Sequence, residues 1–198
     1  MAININGSGT ITGVSVGGLP DGIVDTDMLA TSAVATAKIA DNAVTGAKYV
    51  ISVARITDSK TSGTSGGTFT SGAWRTRDLN TIEDDPDSIV TLSSNQFTLG
   101  AGTYLIQWSA PGYRVDRHKT QLYDVTGATD LGKGSSEYTS NAHSIQTISV
   151  GSDVVTLTAN NTFEIQHRCG TTVNPNGLGV ESGMAAEKYA MVTIFKLS

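Results

Sequence analysis

The run Tyr189-Ala190-Met191-Val192-Thr193-Ile194-Phe195-Lys196-Leu197 is rich in β-branched and aromatic residues and apolar on both sides of an extended chain. A strand with two apolar faces must be covered on both, which places it centrally in a layered β-structure. Upstream, Phe163-Glu164-Ile165-Gln166-His167 alternates strictly, with Phe163, Ile165 and His167 on one side and Glu164 and Gln166 on the other. Further strands are read at Ile51 to Thr57, Ser88 to Leu92, Gln96 to Leu99, Gly102 to Ala110, Tyr113 to Tyr123, Ser144 to Val150, Val154 to Leu157, Thr162 to Arg168 and Lys188 to Leu197. Turn signals separate them, among them Asp84-Asp85-Pro86-Asp87, Ala110-Pro111-Gly112, Gly132-Lys133-Gly134 and Val150-Gly151-Ser152-Asp153. No long amphipathic helix emerges. The expected class is all-β, a sandwich or barrel over residues 50–198.

Composition agrees. The chain has 198 residues, 22 of them Gly, with 16% charged residues, a net charge of −5 and a pI near 5.0. Low charge leaves little material for solvated helices. Acidic balance with scattered Lys and Arg argues against general nucleic-acid binding, which needs clustered cations. Cys169 is the only cysteine, so no intrachain disulfide and no cysteine-built zinc site can form, and a buried thiol is expected. The opening Met1 to Gly18 has neither a basic start nor an unbroken apolar run, so neither a signal peptide nor membrane insertion is expected, and release would be by lysis.

Ahead of the sandwich stands a ten-residue repeat. GIVDTDMLAT (Gly22 to Thr31), SAVATAKIAD (Ser32 to Asp41) and NAVTGAKYV (Asn42 to Val50) align Val24 with Val34 and Val44, and Leu29 with Ile39 and Tyr49. A turn-former, Gly22, Ser32 or Asn42, begins each unit. Six spaced anchors do not offset the cost of ordering this backbone alone. The reading is therefore a stalk over residues 22–49, wound with identical copies that cover the anchors. Residues 1–21 alternate Ile3, Ile5, Ile11, Val14 and Val16 with glycine bends, as either a tail or an attachment segment that adds strands to a partner.

Candidate chemistry is sparse. Glu83-Asp84-Asp85-Pro86-Asp87 reads as a solvated proline turn, ahead of a calcium loop or a carboxylate pair. His118, His143 and His167 fall on different predicted strands without ligand spacing, so each is expected to be a hydrogen-bonded structural histidine. No nucleophile elbow or phosphate loop occurs, so neither an enzyme nor a cofactor is expected. The richest cationic set is Arg75, Arg77, Arg114, Arg117, His118 and Arg168, fit either to bridge subunits through Asp78, Asp116 or Glu164 or to hold an anionic glycan. With Tyr113 and Tyr123 these supply the expected trimer or ligand contacts. The segments Tyr123 to Tyr138 and Gly170 to Gly183 read as recognition loops.

Several stretches together resemble a known family: Trp74 to Ile82, Phe97 to Tyr104, Ser109 to His118, Phe163 to His167 and Val192 to Leu197. They resemble the trimeric jelly-roll heads shaped like tumour necrosis factor and the complement collagen-stalk heads, in the variety found in bacteriophage fibres. The N-terminal opening and the repeats resemble the attachment and shaft segments of tail fibres of marine and freshwater phages. The resemblance implies a homotrimeric virion protein assembled in the host cytoplasm. Residues 1–21 would attach to other virion proteins, 22–49 would form the trimeric stalk, and 50–198 the jelly-roll head engaging a host surface glycan or protein. A capsid decoration trimer is the alternative, with a glycan-depolymerising tailspike behind it.

Overall fold

A computed structural model describes residues 4–5, 11–12, 34, 39 and 51–198. The chain divides into two compact units, Met1–Val50 and Ile51–Ser198. In the first, β1 (Asn4–Ile5) pairs antiparallel with β2 (Ile11–Thr12). Of the repeat anchors, Val34 and Ile39 are described, and both are exposed. Val24, Leu29, Val44 and Tyr49, and with them most of the 22–49 stalk, lie outside the described residues.

The second unit is built from β3 (Ser52–Lys60), β4 (Arg75–Thr76), β5 (Thr81–Asp84), β6 (Val90–Ser93), β7 (Gln96–Leu99), β8 (Gly102–Tyr113), β9 (Asp116–Asp124), β10 (Thr129–Thr139), β11 (Gln146–Leu157), β12 (Asn161–Cys169) and β13 (Glu187–Lys196). One antiparallel sheet runs β11-β8-β13-β3-β5. The other runs β10-β9-β12-β7-β6, with β4 also pairing β12. Among the described residues there is no helix, and none therefore long and apolar enough to cross a membrane. As its two apolar faces require, β13 lies inside its sheet between β8 and β3. Ile56, Phe97, Leu99, Ile106, Leu122, Phe163, Ile165 and Ile194 are sealed between the sheets. Each such side chain contributes about 1.5–3 kcal/mol by leaving water.

Several expected boundaries are corrected. Ala110-Pro111-Gly112 is no turn: β8 runs through it to Tyr113. Its ladder to β13 ends at Ser109 opposite Met191, which leaves that edge of Pro111 with no ladder to feed. Val150-Gly151-Ser152-Asp153 is likewise internal to β11. Gly151 faces Trp108 across the pair, and a β-carbon there would overlap the indole. The glycine is a slot for a tryptophan, not a bend. The expected loop Tyr123 to Tyr138 is mostly the edge strand β10, bulged twice, and Gly132-Lys133-Gly134 lies inside it. Strands β4 and β5 are additional, and His143 sits in a turn ahead of β11.

A polar layer crosses the interior beside that tryptophan. Trp108 Nε1–H donates to Thr120 Oγ1 (2.9 Å), the Thr120 N–H donates to Ser149 Oγ (3.0 Å), and Ser149 Oγ–H donates to the Ser135 carbonyl (2.8 Å). Buried hydroxyls are thereby satisfied and the two sheets fixed in register.

Candidate functional site

The outward faces of the two sheets differ in chemistry. Paired residues share a face, so Val154, Leu105, Phe195 and Val53 form one line across β11, β8, β13 and β3. Val150, Ser109, Met191 and Thr57 form a parallel line. Val154 is 57% exposed and Val150 54%, so in a single copy these apolar side chains face water, with the polar line Ser152, Gln107, Thr193 and Arg55 running between the two.

On the opposite sheet, β9 alternates His118, Thr120 and Leu122 inward with Arg117, Lys119, Gln121 and Tyr123 outward. Glu164, Gln166 and Arg168 point outward from β12 in the same way. The lower half of this face is closed on itself. Gln96 Nε2–H donates to Glu164 (2.9 Å), Gln166 Nε2–H donates to Glu164 (2.7 Å), and Gln121 Nε2–H donates to Gln166 (2.6 Å) and Asp130 (2.9 Å). Lys133 Nζ completes the chain by donating to Gln121 and to Asp130.

The upper half is an open cleft of about 810 Å³. Trp74, Arg117, Lys119, Arg168 and Tyr138 line it. In register, Tyr138 stands opposite Arg117, while Lys119 stands between Ser136 and Arg168. Among the described residues, Arg117, Lys119 and Arg168 form no ion pair; the described ion pairs involve Lys60, Lys133 and Lys188. Glu137, the carboxylate on the cleft wall, accepts a hydrogen bond from Ser135 Oγ–H (2.7 Å). Lys133 Nζ stands 5.3 Å from the Trp74 ring centroid, a cation–π contact that fixes the indole at the margin.

The expected contact residues disperse. Arg117 and His118 line the cleft, but His118 belongs to the interior and is bonded to His167. Arg77 is fully buried; its Nη2–H donates to the Leu178 carbonyl (2.9 Å), so it is unavailable to a ligand. Burial also lowers its guanidinium to about 10, opposed by Asp58 and Asp78. Arg75 Nε–H reaches the Thr70 carbonyl (3.4 Å) outside the cleft, and Arg114 is spent on the Asn141 carbonyl through Nε (3.1 Å) and Nη2 (2.8 Å). Tyr113 ends β8, and Tyr123 lies on the closed half of the face. Two of the carboxylates expected to bridge subunits are committed within the chain, Asp78 to Lys60 (3.1 Å) and Glu164 to its glutamines. The acidic run is split: Glu83 and Asp84 end β5, where Glu83 pairs with Lys188 (2.7 Å), and the turn begins only at Asp85, which accepts from the Ile89 and Val90 N–H groups (2.8 and 3.1 Å). Lys119, Trp74 and Tyr138 were missed as site residues. Alternation along β9 pointed to Lys119, but nothing local placed Trp74 or Tyr138 beside it.

No protein family matches the sequence, and no curated protein matches it. Solved structures do match in shape. Murine APRIL, crystallised at pH 5.0, covers 75% of this chain with 100% of its own, at 10% identity and a TM-score of 0.50. Eiger TNF from S. frugiperda covers 76% with 94% of its own, at 13% identity and a TM-score of 0.50. The globular domain of zebrafish complement 1qA covers 74% with 98% of its own, at 17% identity and a TM-score of 0.48. The first two likenesses establish the fold alone: the second unit is a jelly roll of the tumour-necrosis-factor shape.

Proposed function

We propose that this chain is a homotrimeric virion fibre that adheres to a host cell surface through its jelly-roll head. The observation that carries the reading is the set of exposed aliphatic side chains on one sheet face, against the cation-lined cleft on the other. Sister copies would cover the apolar side chains of Val53, Leu105, Val150, Val154, Met191 and Phe195, with Gln107, Thr193 and Arg55 among them supplying polar contacts, and the face with the cleft would look outward. The exposure of Val34 and Ile39 supports copies associating along the 22–49 repeat as well. Virion placement is supported by the resemblance of the repeats and N-terminal segment to fibre shafts and attachment segments. Adhesion would be multivalent, weak contacts multiplying across heads and fibres.

Light scattering on the purified chain tests the assembly, with a trimer mass expected. Val150→Asp with Val154→Asp, and separately Val34→Asp with Ile39→Asp, should lower that mass at dilute concentration, while a monomer at every concentration would overturn the reading. Antibody labelling of particles in electron micrographs separates a tail fibre from a capsid decoration trimer.

A further inference from the structure

From the unpaired cations of the cleft, we infer that the head binds an anionic glycan there, its sulfate or carboxylate groups held by Arg117, Lys119 and Arg168 and its sugar rings lying against Trp74 and Tyr138. This names the ligand class for the proposed adhesion and rests on that reading only for the ligand being a host-surface one.

Cationic side chains on a protein surface are ordinarily interspersed with carboxylates. Here Lys119 sits directly opposite Arg168 in the β9–β12 ladder, a like-charge cross-strand pair that costs stability. Arg117, on the same face of β9, adds a third positive charge. The nearby carboxylates accept other hydrogen bonds, Glu164 from Gln96 and Gln166, Asp130 from Gln121 and Lys133, and Glu137 on the cleft wall from Ser135, and among the described residues none pairs with the three cations. An arrangement that is repulsive in the free protein becomes favourable when an anion enters.

Geometry selects a glycan. The Ser136–Lys119–Arg168 line spans three strands, hence two strand spacings or about 10 Å. That is the length of a disaccharide. Tyr138, 60% exposed, presents its ring at one side, and the Lys133-braced indole of Trp74 offers another flat apolar surface. Flat rings suit the C–H faces of pyranoses, while the guanidinium forks of Arg117 and Arg168 suit planar carboxylate or sulfate oxygens. Nucleic acid is disfavoured by the net charge of −5.

Calorimetry with the full-length assembled protein tests this, using dextran sulfate, polygalacturonate and neutral dextran as probes. Binding of at least one acidic polymer is expected, weakening with salt, and none to neutral dextran. The two acidic polymers distinguish sulfate from carboxylate recognition. Arg117→Ala and Arg168→Ala should each weaken binding about tenfold or more, and Trp74→Ala about tenfold. Lys188→Ala, a cation on the other sheet, should leave affinity within about twofold. Thermal melts confirm that each variant folds. No binding to either acidic polymer, or equal losses in the Lys188 variant, would overturn the inference. Host-cell adhesion measured in parallel separates the two readings: adhesion undiminished in the cleft variants overturns the cleft alone, whereas glycan binding without adhesion to any host overturns the adhesive role alone.

Discussion

His118 Nδ1 and His167 Nε2 meet at 2.9 Å inside the jelly roll, sharing one hydrogen between two buried imidazoles. His118 Nε2 continues the chain to Thr147 Oγ1 (2.8 Å), the Phe69 ring lies tilted against His167 with centroids 4.6 Å apart, and the charge of buried Arg77 acts on both imidazoles. Burial lowers His118 to about 4, with Glu137 opposing and Arg77 assisting, and burial with Arg77 and His118 holds His167 well below the usual imidazole range.

Acid should therefore weaken the head before carboxylates titrate. Below the ordinary imidazole value of 6.5 the unfolded chain takes up protons that the fold refuses, so stability falls as pH drops from 6.5 toward 4. His118 alone accounts for on the order of 2–3 kcal/mol of that loss. Urea midpoints at pH 7, 5.5 and 4.5 should decline steadily in the wild type and flatten in a His118→Asn/His167→Asn double variant. Equal midpoints in the wild type across that range would refute the assignment.

A second, lower acid step belongs to Glu187. Its Oε1 accepts from the N–H groups of Gly63 (3.0 Å) and Gly183 (2.8 Å), and its Oε2 from the N–H and Oγ–H of Ser182 (both 3.0 Å). Those backbone donors hold its carboxyl down at about 2, so the clasp stabilises above the ordinary carboxylate pKa and is lost as pH falls toward 2. In Glu187→Gln this lower step should shrink, leaving the part owed to Glu83, which Lys188 and Thr57 also hold below the usual carboxylate range, while the histidine step persists. Hydrogen exchange at Gly63 and Gly183 should quicken in the variant; unchanged protection would count against the clasp.

Gly151→Ala should destabilise the head by about 1–3 kcal/mol, because the added methyl must displace the Trp108 indole and with it the Nε1–H bond to Thr120. Tryptophan fluorescence and urea melts report both effects. A neutral substitution would show that the indole has room to move.

Cys169 should ignore alkylating agents in the native protein. Burial pushes its thiol up to about 11 against the pull of Arg75. Iodoacetamide at pH 8 should label it only after unfolding, and rapid native labelling would contradict the burial.

How much of this was legible beforehand depended on whether a residue's partner is local. The alternation Phe163-Glu164-Ile165-Gln166-His167 placed three side chains inward and two outward, as found, and Gln96–Leu99 matched to the residue. The Tyr113 to Tyr123 stretch carries polar residues on both faces because its inward ones, His118 and Thr120, are satisfied by His167, Trp108 and Ser149 far away in sequence. It also begins later than read, since Arg114 and Asp116 take left-handed backbone angles (φ 58° and 63°) in the β8–β9 corner. Gly151 and Pro111 were read as breakers because their reasons, an opposing indole and an ended ladder, are tertiary. For the site, the sequence offered the cations but not their grouping. Arg77 and Arg114 were consumed by carbonyls, and Trp74 and Tyr138 converged on the cleft only through sheet order.

The division of the polar face into a closed lower half and an open upper half carries a consequence for inheritance. Changing Gln121 or Glu164 severs a cross-strand chain of side chains, whereas changing Arg117, Lys119 or Arg168 cuts no bond within the described fold. One region of a single sheet is thus fixed by folding and the region beside it is free to drift, so new surface specificities can arise by point substitution without rebuilding the framework beneath them.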